Sequence, residues 1–191
     1  MRLLKISEVI FLTTPTPAII LAAGASTRLG SPKALVEWNG ETLIELAVRQ
    51  LKEAGVNEIV IVTRSELAVD LLTLVSGSQV AINTEPELGR NSSIQVGILS
   101  LMKEKGRIPQ RVLIVPVDRC GWQVDTVERL LEQKQSCTPE PAGHPVLLYE
   151  IEAVLAADGD ASLRSLFNPE RIAAPGIRLN IDSPEDVEAL P

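Results

Sequence analysis

Residues 21–35, LAAGASTRLGSPKAL, concentrate more phosphate-handling chemistry than any other stretch of the 191-residue chain. Gly24 and Gly30 lack a Cβ, so the backbone there can adopt unusual φ values and let a ligand approach closely. Around them stand the hydroxyls of Ser26 and Thr27, the guanidinium of Arg28 and the ammonium of Lys33. Successive main-chain N–H groups in such a loop form a concavity for anions, Arg28 offers a two-pronged fork, and Lys33 a point charge. These are the parts of a triphosphate site. Two familiar phosphate loops do not fit. The pattern GxxxxGK[ST] fails because five residues separate Gly24 from Gly30 and Pro32 precedes Lys33, and GxGxxG fails because position 26 is serine. A dinucleotide-binding oxidoreductase is therefore the least favoured enzyme reading.

Such a loop needs a rigid support, and short apolar runs alternating with amphipathic stretches supply one. The pattern predicts strands over 18–21, 57–63, 79–83, 111–118, 145–149 and 177–182. Helices are expected from Thr42, with Glu45 closing a capping box and Gly55 as the stop, then over 66–74, from Ser92 as cap with an Ile94, Ile98, Leu101 stripe, and over 125–133. Two short helices follow at 150–156 and 161–167, and a last one begins with Ser183 as cap, Pro184 at the first helical position and Asp186 at the third. Asn39-Gly40 reads as a turn, and 134–144, with two prolines and a glycine, as a loop. The expected fold class is α/β, a three-layer α/β/α arrangement with a Rossmann-like, mostly parallel sheet. Its carboxyl edge, where open sheets bind ligands, carries the phosphate loop. Residues 1–16 are expected to be an N-terminal extension and 17–191 a single domain.

The formal charge of −7 argues against a general grip on nucleic acid, which needs clustered Lys and Arg. No window of the sequence reaches the apolar length of a membrane span, and the first twenty residues do not read as a secretory leader because Glu8 interrupts the apolar stretch. Cys120 and Cys137 have neither zinc-site spacing nor the density of a disulfide scaffold. A cytoplasmic protein is expected.

The string LAAGASTRLGSPKAL closely resembles the signature LAAGxSxRxGxPKxL of the GT-A-like nucleotidyltransferases, particularly the molybdenum-cofactor cytidylyltransferase and guanylyltransferase group. Taken singly, Gly24 is an ordinary turn former and Arg28 and Lys33 ordinary surface charges; together they are hard to explain that way. The resemblance implies transfer of a nucleoside monophosphate from an NTP to a phosphorylated acceptor, with release of pyrophosphate. It implies a nucleotide site made of Leu21, Ala22, Ala23, Gly24, Ala25, Ser26, Thr27, Arg28, Gly30 and Lys33, in which 23–30 and Arg28 hold the β- and γ-phosphates and Lys33 bridges the α-phosphate and the incoming phosphate. Arg28, Lys33 and Asp118 are the implied catalytic residues. Members end their central strand with a metal-binding aspartate, matched by Asp118 in VPVDRCGW, and carry a second in a form like DIDTPED, matched by Asp182 in NIDSPED, where Asn180 can add a carbonyl oxygen. Mg²⁺ is the implied metal, with Mn²⁺ as its substitute, since Mg²⁺ takes one or two carboxylates and completes its shell with phosphate oxygens and water.

Other elements extend the resemblance. GRNSSIQVGI places Gly89, Ser92 and Ser93 near the nucleotide base, although capping alone would explain Ser92. GHPVLL resembles an acceptor-pocket element and makes His144, the sole histidine, the acceptor-binding residue; a lone histidine is as often structural. Three positions depart from the family pattern: Cys120 for proline, Ala142 for arginine and Ser162 for glycine. Ala23, where guanylyl members often have glycine, favours CTP over GTP as donor, and molybdopterin is the implied acceptor. A sugar phosphate as acceptor, or a nucleotide-binding module without transfer activity that partners a molybdoenzyme in cofactor insertion, are the competing readings.

Overall fold

The computed structural model describes residues 15–191. Its frame is a seven-stranded sheet of β1 (Ala18–Leu21), β4 (Ile59–Thr63), β5 (Gln79–Ile82), β6 (Val112–Pro116), β7 (Cys137–Glu140), β8 (Val146–Leu148) and β9 (Glu170–Ala173), in the order β5-β4-β1-β6-β8-β7-β9. All neighbours pair in parallel except β8, which runs against both β6 and β7. The central strands are apolar except for the buried Thr63 at the end of β4, because both of their faces are covered. Along β1, β4 and β6 the side chains divide by alternation: Ala18, Ile20, Ile59, Ile61, Leu113 and Val115 face one apolar layer, and Ile19, Val60, Val62, Val112 and Ile114 face the other. Helices α1 (Leu43–Glu53), α2 (Ala68–Leu74) and α4 (Val124–Leu131) supply the first layer; α3 (Arg90–Lys105) and α5 (Ile151–Ala156) supply the second. This is a three-layer α/β/α fold with a mostly parallel sheet. Among the described residues no helix is long and apolar enough to cross a membrane.

Local chemistry sets most boundaries. The two-residue hairpin between β2 (Glu37–Trp38) and β3 (Glu41–Thr42) turns on Asn39 and Gly40, both at positive φ, as a tight hairpin requires. Helix α1 starts at Thr42 with both arms of the expected capping box in place, Thr42 Oγ1 accepting from Glu45 N and Glu45 Oε2 accepting from Thr42 N at 2.9 Å. Helix α7 (Pro184–Glu188) starts with the Ser183–Asp186 box.

Three expectations are corrected. Helix α3 begins at Arg90 with Gly89 as its cap, so Ser92 lies inside the first turn, where its hydroxyl donates to Gly89 O at 2.7 Å. Residues 134–144 are not all loop: β7 lies within them, paired with β9 along its whole length and with β8 only at Cys137. Pro139 is tolerated because that short β8 ladder asks for no N–H from it. Residues 177–182 join no ladder, and β9 at 170–173 is the outer strand instead. Of the expected extension at 1–16, residues 1–14 lie outside the described residues.

Candidate functional site

The loop leaving β1 is pinned at its base and open at its centre. Ala22 N donates to Val62 O at 2.8 Å, and further on Ser26 ties the loop together. Its carbonyl accepts from Leu29 N and Gly30 N, both at 3.1 Å, and its hydroxyl from Lys33 N at 3.2 Å. Ser26 sits at φ +50, a left-handed conformation uncommon outside glycine and concentrated at functional loops. The N–H groups of 23–28 have no acceptor among the described residues. A run of free donors beside exposed Arg28 is what an anion-binding loop offers. Residues 21–28 and Lys33 line a cavity of about 380 Å³ together with Gly89, Arg90, Ser93, Asp118 and Asp182. Gly30, at φ +77, shapes the turn without lining it.

Asp118 and Asp182 meet because two segments are stitched together. Val117 N donates to Leu21 O at 3.2 Å, which brings the end of β6 beside the loop. The segment after β9 then runs along 118–122: Ile177 N donates to Gly121 O at 2.8 Å and Ile181 N to Asp118 O at 3.0 Å. Gly121 is obligatory here, since a Cβ on it would stand 2.1 Å from Ile177 O. The ammonium of Lys33 lies between the two carboxylates, 3.0 Å from Asp118 Oδ2 and 2.5 Å from Asp182 Oδ1, and Arg28 Nη2 is 3.3 Å from Asp182 Oδ2. Hydrogen bonds from Lys33 and then Asn180 hold the Asp182 carboxyl down at about 2.

The donor set fits a hard divalent cation. Asp118 and Asp182 present carboxylate oxygens, Asn180 Nδ2 donates to Asp182 Oδ2 at 2.6 Å, and Asn180 Oδ1 is buried with no hydrogen-bond partner among the described residues. The Lys33 ammonium stands as a cation between the carboxylates. Among the described residues no group of three or more His, Cys, Asp or Glu side chains is placed to hold a metal, so such an ion would depend on phosphate oxygens and water for the rest of its shell.

Ser92 and Ser93 are buried, and both hydroxyls accept from Asn83 Nδ2 at 3.0 Å. Ser93 lines the first cavity whereas Ser92 does not. Gly89, at φ +114, lies against the 159–160 backbone, where a Cβ would be 2.7 Å from Gly159 O. His144 lines a second, larger cavity of about 690 Å³ that shares Arg90 and Pro116 with the first. Its Nδ1 has no hydrogen-bond partner among the described residues. Burial, reinforced by the charges of Arg119 and Arg90, lowers its pKa to about 4, so the ring is neutral at pH 7. Of the three departures, Cys120 and Ala142 are buried packing residues, the Cys120 thiol pushed up to about 11 by burial, and Ser162 caps a short helix, α6 (Leu163–Leu166), by accepting from Ser165 N.

Comparison with known proteins agrees with this architecture. A family model described as the MobA-like NTP transferase domain matches residues 18–174. The chain belongs to that family. The chain is 34% identical over 115 residues to nicotine blue oxidoreductase of Paenarthrobacter nicotinovorans, covering 59% of this chain and 54% of that protein. It is 32% identical over 115 residues to a probable molybdenum cofactor guanylyltransferase of Bacillus mycoides, covering 60% and 54%. The chain thus spans about half the length of these curated relatives. The crystal structure of Rv0371c from Mycobacterium tuberculosis H37Rv superposes with a TM-score of 0.76 at 19% identity, over 93% of this chain and 98% of that one; its manganese complex gives 0.72 at 17% identity over the same shares. At that identity the likeness is one of fold.

Sequence reasoning overlooked several residues that build or line the candidate site. Asn83 organises the two serines, Gly121 admits the returning segment, Arg90 lines both cavities, and Arg119, next to Asp118 in the chain, lines the larger one. Gly121 next to Trp122 had a legible signal only as a glycine just beyond a strand end; the arginines had none, because they lie on separate elements.

Proposed function

We propose that the protein transfers a nucleoside monophosphate, with CMP favoured, from an NTP to a phosphorylated acceptor of the molybdopterin type, releasing pyrophosphate. The observation that carries this reading is Lys33 between Asp118 and Asp182, at the mouth of a loop with free N–H donors. In-line attack of an acceptor phosphate oxygen on the α-phosphorus builds negative charge on oxygens, so the protein's work is positioning and neutralisation. The N–H groups of 23–28 and Arg28 hold the β- and γ-phosphates, while the Lys33 ammonium moves from the carboxylates to the reacting phosphates. Gly89 and Ser93, on the far wall, face the nucleoside, and His144 meets the acceptor in the adjoining cavity. Asp118 and Asp182 would hold Mg²⁺, or Mn²⁺, which supplies Lewis-acid charge neutralisation at the α-phosphate. The manganese complex of the structural neighbour supports a divalent ion in this fold. Ala23 supports cytidine over guanosine. The unpaired, buried Cys120 and Cys137 support a reducing cytoplasm.

One relative is named an oxidoreductase, which favours a redox reading as the second choice. The experiment that separates them is pyrophosphate release from CTP and GTP with Mg²⁺ and molybdopterin, set beside reduction of a dye acceptor by NAD(P)H. Pyrophosphate release with CTP supports transfer; dye reduction with no pyrophosphate from any NTP overturns it.

A further inference from the structure

The larger cavity carries a charge pattern that the transfer reaction as stated leaves unexplained. Five arginines line it, Arg90, Arg119, Arg164, Arg171 and Arg178, against two carboxylates, Glu140 and Asp160, in a chain whose overall charge is −7. Arg171 is paired with Glu140 at 2.8 Å. The other four guanidiniums have no ion-pair partner among the described residues. Arg90 lines both cavities and Arg119 follows Asp118 directly, which sets these two on the side of the larger cavity that adjoins the first. A phosphate monoester has three terminal oxygens, one of which is the nucleophile, and two guanidinium forks suffice to hold the other two. Arg164, on α6, and Arg178, on the segment stitched to 118–121, are left over. Like charges gathered around one cavity repel each other until an anion enters. His144 adds a neutral hydrogen-bonding edge, and Ile114, Val146 and Phe167 an apolar wall.

We propose that the acceptor carries two separated anionic groups on an apolar body: the reacting phosphate beside Arg90 and Arg119, and a second group, phosphate or carboxylate, beside Arg164 and Arg178. This rests on the transferase reading above. The cavity, at about 690 Å³, has room for a body larger than a phosphate alone.

The test is titration calorimetry on the full chain with phenyl phosphate, which has one anionic group on an apolar ring, and 4-carboxyphenyl phosphate, which has two; CTP with Mg²⁺ is titrated in parallel. The two-anion probe is expected to bind at least tenfold tighter than the one-anion probe. Arg164→Gln and Arg178→Gln each shrink that preference while CTP binding stays as in the parent, and Arg164→Lys restores part of it. Both arginines are exposed, so the variants should fold. Equal affinity for the two probes, or a preference that survives both glutamine variants, overturns the proposal and leaves the transferase reading standing. Failure of CTP to bind overturns the transferase reading, and the proposal with it.

Discussion

Lys33 Nζ stands 2.5 Å from Asp182 Oδ1, a contact between residues 149 positions apart. The same nitrogen is 3.0 Å from Asp118 Oδ2, and the three side chains are only 16–26% exposed, so solvent screens this cluster less than a surface pair. A cation is thus built into the place where the family resemblance puts a metal.

Exchange of Lys33 for a neutral side chain is expected to act in two directions. Lys33→Met should lower turnover by roughly 10²–10³-fold, the usual loss for one preorganised transition-state donor. It should also tighten binding of Mn²⁺ added without nucleotide, because the ammonium no longer competes for the carboxylates. Pyrophosphate release and calorimetric Mn²⁺ titration read the two effects, and weaker Mn²⁺ binding in the variant would show that the ammonium is no competitor.

Asp182→Asn removes a carboxylate but keeps the helix start, since Asp182 contributes only its N–H to the Asp186 carboxylate at 2.8 Å. Activity is expected to fall by about 10²-fold, a loss of the order seen for one electrostatic group at a reacting centre. The Mg²⁺ concentration needed for half-maximal rate should rise while the melting temperature changes little. A large drop in melting temperature with an unchanged Mg²⁺ requirement would assign Asp182 to structure.

Gly121→Ala places a methyl group where Ile177 O now lies, 2.1 Å from the new Cβ. Overpacking of this kind costs about 1–3 kcal/mol, measurable by urea unfolding. Activity should fall further than stability alone explains, because the stitched segment carries Asp182; parent-like turnover in the folded variant would contradict this.

Acid should unfold the protein partly through His144. Its folded pKa of about 4 lies below the ordinary value of 6.5, so between those values the unfolded chain binds more protons. The stabilisation is complete above pH 6.5 and is lost as pH falls toward 4, with a slope of at most about 1.4 kcal/mol per pH unit. In His144→Gln, unfolding free energy measured between pH 7 and 4.5 should have a flatter slope.

Thr42→Ala removes the hydroxyl that accepts from Glu45 N, and should lower stability by about 1 kcal/mol in denaturant melts without changing nucleotide affinity.

Much of the frame was legible because its causes are local. Thr42 with Glu45, Ser183 with Asp186, and Asn39-Gly40 announce themselves within four residues, since a cap or a tight turn is a bond between near neighbours. The apolar runs at 18–21, 59–63 and 112–116 are equally plain, because strands buried on both faces need little beyond their own composition. Residues 177–182 show where this fails. IRLNID reads as a strand, yet its main chain bonds to Asp118 and Gly121 rather than to a sheet, while the proline-bearing β7 was hidden until β9 came alongside.

The amino-acid sequence by itself determined the α/β class and set two glycines, two hydroxyls and two cations within the loop at 21–35, since each is a matter of composition and short spacing. Only the tertiary structure decided that Lys33 lies between Asp118 and Asp182, and that unpaired arginines from four separate segments converge on one cavity. Charges that meet across 85 or 149 residues are brought together by strand order and by the Gly121 crossing, and neither is written in any short window of the chain.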